Sequence, residues 1–308
     1  MAEWLYEDGI GEARAILIES GRLIEARVEL PGLRAGTVTR GRLRAERRVE
    51  LAGGGEALLD GPARVSEGAE LTVRINREAI PEPGRAKLAR ATASTDAPVA
   101  GPDLLTRMRS TALPIRICHP HETDRFEELG WSEVIEEART GEIAFAGGAL
   151  RMAVTPAMTV FDVDGSLPVD QLAVAAAGAA ARAIVRHDIG GSIGIDFPTL
   201  SGRGARQAVA DAIDAALPQP FERTALNGFG FMQIIRRRTR ASIPELIAAD
   251  PAGAELRAEL RRIERVPPPA PDTHMMSAPL LRRLARSPEW VEELHRRTGG
   301  RTQFVERR

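Results

Sequence analysis

Three aspartates follow two short apolar runs, at spacings that could support metal chemistry. Asp162 and Asp164 close the run 159–164, and Asp196 closes the run 192–196. Residues two apart on a strand point to the same face, so the first two carboxylates are expected on one side. Oxygen ligands without histidine favour Mg²⁺ or Mn²⁺ over zinc. A cation held in this way could activate water and stabilise a phosphodiester transition state.

The elements around these aspartates form a strand, helix and strand in sequence order. Gly165 is expected to end the first strand, and Ser166 is a candidate N-cap for an alanine-rich helix over 169–187. A right-handed crossover helix makes its two strands parallel and brings their carboxyl ends to one edge of the sheet. Ligands of α/β proteins usually bind at that edge, so we expect the three carboxylates to converge there.

The motifs of this region, taken in order, resemble the catalytic core of the ribonuclease E/G family. They are FDVDG (161–165), DIGGSIGIDF (188–197) and NGFGFMQIIRRRTRASI (227–243), and the resemblance covers about residues 145–245. It implies a DNase-I-like subdomain in which Asp162 and Asp196 are catalytic and bind the metal. Asp164 occupies the place of a family asparagine and is carried over as a third catalytic residue. The implied activity is a Mg²⁺-dependent (alternatively Mn²⁺-dependent) endoribonuclease that cleaves single-stranded RNA in RNA processing or decay.

Three positions depart from the family pattern. Gly228 stands where the family usually has an arginine, Gln233 replaces a glutamate, and Thr199 lies near the place of a further acid. These changes remove charge while keeping the two metal-binding aspartates, which leaves a non-catalytic RNA-binding protein of the same fold as the alternative. A plain α/β metal-binding domain with a different phosphate ligand needs only the carboxylate edge and is a third interpretation.

The resemblance and the strand pattern together predict a mixed α/β fold with four parts. Residues 1–32 would form a β-hairpin of an RNase-H-like part, and 33–100 a reduced S1/OB-like β insertion with a proline-containing turn at 80–87. Residues 101–245 would form the DNase-I-like catalytic domain, and 246–308 a C-terminal helical segment. The insertion has no aromatic residue, although barrels of this kind use aromatic side chains to stack bases.

Arginines supply nearly all of the positive charge, and the formal net charge is −1. An RNA site must therefore be a local basic patch. Alternating arginines in the β insertion would share one strand face, although a charged edge strand explains them equally well. A glycine-rich turn into a helix and a basic run after the third motif provide further candidates. The candidate RNA-binding residues are Arg40, Arg42, Arg203, Arg206, Arg236 and Arg238.

The single cysteine, Cys118, excludes an internal disulfide and the paired-cysteine zinc link of the family. Cys118-His119-Pro120-His121 could hold a metal, but a structural loop is the favoured interpretation. No structural zinc is expected, nor an oligomer that shares one, while other modes of oligomerisation stay open. The sequence shows no leader pattern and no membrane-spanning run, so a cytoplasmic location without membrane contact is expected.

Overall fold

The computed structural model describes residues 1–82 and 86–307, so the predicted turn at Pro83 and Gly84 lies outside the described residues. The strands are β1 (Ala2–Gly9), β2 (Glu12–Glu19), β3 (Arg22–Glu29), β4 (Val38–Leu43), β5 (Arg48–Leu51), β6 (Glu56–Asp60), β7 (Glu70–Arg77), β8 (Ala89–Ala93), β9 (Ile115–Ile117), β10 (Glu142–Phe145), β11 (Gly148–Val154), β12 (Thr159–Gly165), β13 (Gly191–Asp196), β14 (Phe221–Arg223), β15 (Phe231–Arg236), β16 (Thr273–Met276) and β17 (Gln303–Glu306). The α-helices are α1 (Leu104–Arg109), α2 (Arg125–Glu128), α3 (Trp131–Thr140), α4 (Val169–Arg186), α5 (Arg203–Ala216), α6 (Ile243–Ala249), α7 (Pro251–Glu264), α8 (Ala278–Leu284) and α9 (Pro288–Thr298).

The first sheet has the strand order β3-β2-β1-β9. The predicted hairpin is confirmed as β2 and β3, which are joined at Ser20 and Gly21, both with positive φ. Sequence patterning did not predict β1, which pairs antiparallel with β2 and parallel with β9. Leu5 and Ile16 are buried in a core that also contains Trp131 of α3, so residues distant in sequence close this part of the fold.

A closed five-stranded barrel of order β4-β5-β6-β8-β7 lies within the predicted 33–100 insertion. Its interior is built from aliphatic residues, among them Val49, Val73, Ile75 and Ala91, each at most 1 % exposed. This arrangement is consistent with an OB-like insertion in a mixed α/β protein, as predicted.

The candidate site lies on a six-stranded sheet of order β10-β11-β12-β13-β15-β14. Only the neighbours β12 and β13 run parallel, as the strand–helix–strand pattern predicts, and the other neighbours are antiparallel. Helices α4 and α5 pack on one face, where the alanines of α4 allow close approach. The opposite face carries exposed and half-buried side chains, so it is the accessible one.

The predicted N-cap at Ser166 is wrong, although the predicted helix is present. Strand β12 continues through Gly165, and the Ser166 N–H donates to the Gly147 carbonyl at 3.1 Å. Ser166 therefore belongs to the sheet hairpin, and Pro168 takes the N-cap position before α4.

The C-terminal elements form their own core on α7, with Leu256, Leu260, Leu280 and Trp290 buried. β16 and β17 make a parallel two-stranded sheet. Within the described chain, no helix is both long enough and apolar enough to cross a membrane.

Candidate active site

Asp162 and Asp196 are partners in the β12–β13 ladder. Neighbouring strands lie about 4.8 Å apart, and in-register residues of parallel strands point to the same face. The residues just before them, Phe161 and Ile195, are fully buried on the helix-covered side of the sheet. Both aspartates therefore face the open side, where each is exposed. The structure therefore places these two of the three predicted aspartates next to each other on one face of the sheet.

A row of side chains crosses the open face through this pair. Arg151 of β11 lies opposite Asp162, and Glu142 of β10 lies opposite Arg151. The Arg151 Nε is 3.5 Å from a Glu142 oxygen and 3.4 Å from a carboxylate oxygen of Asp164. Sequence reasoning missed Arg151 and Glu142, although the alternating pattern of β11 carried the signal for an outward-facing arginine.

Asp164 differs from the other two aspartates because of this ion pair. The β12–β13 ladder ends at Asp162, so Asp164 has no partner on β13. Among residues 1–82 and 86–307, no group of three or more His, Cys, Asp or Glu side chains is arranged to hold a metal ion. The expected cluster of three carboxylates is therefore not found among these residues, and the candidate site contains Asp162 and Asp196 but not Asp164.

The donor chemistry of this pair fits a hard divalent cation. In the part of the chain that the structure describes, neither Asp162 nor Asp196 has an ion-pair partner. Two adjacent carboxylates that form no ion pair of their own repel one another, and a bound cation relieves that repulsion. Mg²⁺ commonly takes one or two protein carboxylates and fills its other positions with water and substrate phosphate oxygens.

The turn before β15 is tied to the end of β13. The Phe197 N–H donates to the Gly230 carbonyl at 2.9 Å. The Asn227 side-chain oxygen accepts from the N–H groups of Phe229 and Phe231 at 2.9 and 3.0 Å. Gly230 has φ +94°, a conformation that disfavours side chains. These contacts hold the turn 227–230 directly beside Asp196, whose ladder partner is Phe231.

The two arginines at the start of α5 have different roles. Arg206 donates to the Leu200 carbonyl at 3.0 Å, so its side chain holds the loop that leads into the helix. Arg203 is exposed, and no described carboxylate pairs with it. Of the two, Arg203 is the one with an uncommitted guanidinium for a phosphate.

Arg236 and Arg238 are not brought to the aspartate pair. β15 runs antiparallel to β13, so Arg236 lies opposite Gly191, about 17 Å along the strand from Asp196. Its side chain donates to the Ile189 carbonyl at 3.0 Å, and burial, with Arg27 nearby, lowers its pKa. Arg238 is ion-paired with Glu245. Both side chains support the fold, and RNA contact by them stays a prediction.

The arginines of β4 share the outer face of the barrel, as predicted. Arg42 is 3.3 Å from Glu70, and Arg44, just past the strand, pairs with Glu50. Arg40 is exposed and has no acidic partner in the described residues. Salt bridges thus partly neutralise this stripe and leave Arg40 as its uncompensated charge.

Comparison with known proteins places the family resemblance on this same region. Residues 102–239 match the model of the Ribonuclease E/G family. Over 133 residues the chain is 28% identical to Ribonuclease G of Salmonella typhimurium (strain SL1344), and 29% identical to Ribonuclease G of Escherichia coli (strain K12) and of Shigella flexneri. Each alignment covers 39% of this chain and 27% of the relative, so the chain matches about a quarter of the relatives' length. The family resemblance is confirmed for the segment that contains both aspartates.

Proposed function

We propose that this protein is a Mg²⁺-dependent endoribonuclease that cleaves phosphodiesters of single-stranded RNA in RNA processing or decay. The observation that carries the proposal is the in-register pair Asp162–Asp196, exposed on an open sheet face inside the segment that matches the family. In this proposal the six-stranded sheet is the DNase-I-like subdomain, the first sheet belongs to an RNase-H-like part, and the barrel is a reduced S1-type insertion. A cytoplasmic location belongs to the same proposal.

Asp162 and Asp196 would hold the cation, with Mn²⁺ as a substitute for Mg²⁺. When bound, the ion would supply an activated water and stabilise charge at the phosphate under attack. The pair itself provides the negative charge that draws a divalent cation to this face. Asp164 would act differently, because its carboxylate lies 3.4 Å from the Arg151 Nε. In this proposal Asp164 would help to orient Arg151 beside the pair.

Arginines that lack an acidic partner would orient the RNA. Arg203 lies at the N-terminus of α5, where helix backbone N–H groups also favour a phosphate. Arg40 would contact a more distant phosphate from the outer face of the barrel. Because the net charge of the whole chain is −1, such local groups must supply the attraction.

The test is incubation of the purified protein with 5′-labelled single-stranded RNA, in Mg²⁺, in Mn²⁺ or in EDTA. Internal cuts should appear with either metal and vanish in EDTA. Asp162→Asn and Asp196→Asn should each abolish cutting. Glu222→Gln, which removes an exposed carboxylate from β14 of the same sheet, should cut as the wild type does. Cutting that persists in EDTA, or in either aspartate variant, would refute the proposal.

A non-catalytic RNA-binding protein is the second candidate, because Gly228 replaces the family arginine near the site. It predicts salt-dependent RNA binding without cuts. Both RNA functions predict that log K falls steeply with log salt, whereas a domain for a small phosphate ligand predicts a shallow slope. Arg40→Ala should make the slope of log K against log salt shallower by the amount expected for about one lost phosphate contact. Arg44→Ala is the matched control: its guanidinium is already paired with Glu50, so its removal should change the slope less.

A further inference from the structure

One aromatic side chain among the described residues is exposed to solvent, and it lies next to the candidate active site. Phe229 is 87% exposed. The other aromatic residues are all buried or half-buried, and the described part of the barrel contains none. Single exposed apolar side chains are common on protein surfaces, so what makes Phe229 informative is its place in the turn beside Asp196.

The position of Phe229 is held by the backbone. Its own N–H and that of Phe231 donate to the Asn227 side chain, which closes the turn. Gly230 packs so tightly that a Cβ there would lie 2.1 Å from the Phe197 carbonyl oxygen. Phe231 is the ladder partner of Asp196, so the Phe229 Cα, two residues earlier, lies within about 7 Å of that row. The ring is therefore exposed on a hydrogen-bonded turn that adjoins Asp196.

We propose that Phe229 is a stacking platform for one unpaired base next to the phosphate that is cleaved. The inference rests on the proposed function, since it assigns to the same site a residue that contacts a base of the substrate. Aromatic rings stack with the π-face of any base, so the contact selects for an unpaired nucleotide and tolerates different sequences. A base inside a duplex is already stacked on both sides and cannot use the platform. The barrel segment has no aromatic residue that could stack a base, and Phe229 would supply this contact beside the aspartates.

The direct test uses a Phe229→Trp variant and tryptophan fluorescence in EDTA, so that binding is read without cutting. The native tryptophans Trp4, Trp131 and Trp290 are at most 8% exposed and give a constant background. Three probes are compared: a single-stranded RNA 12-mer, the same sequence as a duplex, and inorganic polyphosphate of similar charge. Quenching by single-stranded RNA alone is expected. No quenching, or equal quenching by duplex or polyphosphate, would overturn the inference.

A second test uses Phe229→Ala, with Ile235→Ala as the matched control. Ile235 is 44% exposed at the far end of β15, so its removal tests the loss of an exposed apolar group away from the site. Phe229→Ala should weaken single-stranded RNA binding by about 5- to 150-fold, the range of one base–aromatic stack. The loss should fall on KM more than on kcat, and Phe229→Tyr should restore binding where Phe229→Leu does not.

The two proposals fail in different ways. If RNA is cut and Phe229→Ala cuts with unchanged KM, the platform is refuted and the nuclease stands. If single-stranded RNA quenches the Phe229→Trp variant but no cuts appear with metal, the nuclease is refuted, and the stacking contact stands only as part of a non-catalytic RNA-binding site. If Phe229→Leu bound single-stranded RNA as tightly as Phe229→Tyr, an aliphatic side chain would serve as well as an aromatic ring. That result would also overturn the platform.

Discussion

Asp162→Asn should weaken the binding of a divalent cation without lowering the stability of the fold. The residue is exposed and its ladder partner is Asp196. Arg151 lies opposite it on β11, but among the described residues neither Asp162 nor Asp196 forms an ion pair. Two unit negative charges about 5 Å apart in water repel by roughly 0.8 kcal/mol. Removing one of them in EDTA should therefore leave the free energy of unfolding unchanged, or raise it by up to about 0.8 kcal/mol.

Adding Mg²⁺ should make the wild type more stable than the Asp162→Asn variant. At a free Mg²⁺ concentration ten times Kd, a ligand that binds only the folded state stabilises it by about 1.4 kcal/mol. For a chain of this size, each kcal/mol corresponds to roughly 2 °C in Tm. The wild type should gain about 3 °C between EDTA and this Mg²⁺ concentration. The variant, which keeps one carboxylate, should gain less than about 1 °C.

The assay is thermal unfolding, followed by calorimetry, across a Mg²⁺ titration that starts in EDTA. Glu222→Gln is the control, because Glu222 is exposed on β14 and its ladder partner is Ile235, an uncharged residue. This control should respond to Mg²⁺ as the wild type does. A loss of more than about 1 kcal/mol for Asp162→Asn in EDTA, or a full Mg²⁺ response in that variant, would contradict the reasoning.

Two further predictions concern the turn beside Asp196 and a buried histidine at the C-terminal end of α4. Gly230→Ala should cost about 2–4 kcal/mol of unfolding free energy in urea, since φ is +94° and its Cβ would meet the Phe197 carbonyl. Gly228→Ala, with open space around it, should cost under about 1 kcal/mol, and equal losses would count against the argument. Burial lowers the pKa of His187, against the opposing effect of Glu137, so the neutral imidazole is the folded form. The stability that the neutral His187 contributes is fully present above its unfolded pKa of about 6.5, and it is lost as the pH falls toward the lower folded pKa. His187→Gln removes this titration, so the urea midpoint of the variant should depend less on pH below 6.5.

The aspartate pair could be predicted from sequence because its geometry follows from local rules. A crossover helix makes two strands parallel, and both acids lie at the carboxyl end of the stretch over which the strands pair, so the register places them together. The same rules do not reach Asp164. Its partner is Arg151, on an antiparallel strand whose outward face sequence patterning did not assign. The ion pair depends on that strand's register, which no local spacing reveals.

The placement of the basic run could not be predicted from its position in the motif. Arg236 follows the glycine–phenylalanine turn by a few residues, which suggested proximity to the site. Because β15 runs antiparallel to β13, only its first residue, Phe231, reaches Asp196, and each later residue moves away. Strand direction is a property of the tertiary fold, so nearness in sequence to a catalytic motif did not mean nearness in space.

The carboxylate pair and the aromatic rim are held by different parts of the structure, which makes their functions separable. Asp162 and Asp196 are placed by the β12–β13 ladder, whose backbone hydrogen bonds do not depend on the turn before β15. Phe229 is placed by Asn227 and by the tight contact of Gly230 with the residue after β13. Asn227→Ala should therefore loosen the ring while leaving the metal ligands in register. It should raise KM for single-stranded RNA toward the value of Phe229→Ala and keep the Mg²⁺-dependent gain in Tm. If instead it abolished the Mg²⁺ response, the turn would have to be counted as part of the metal site.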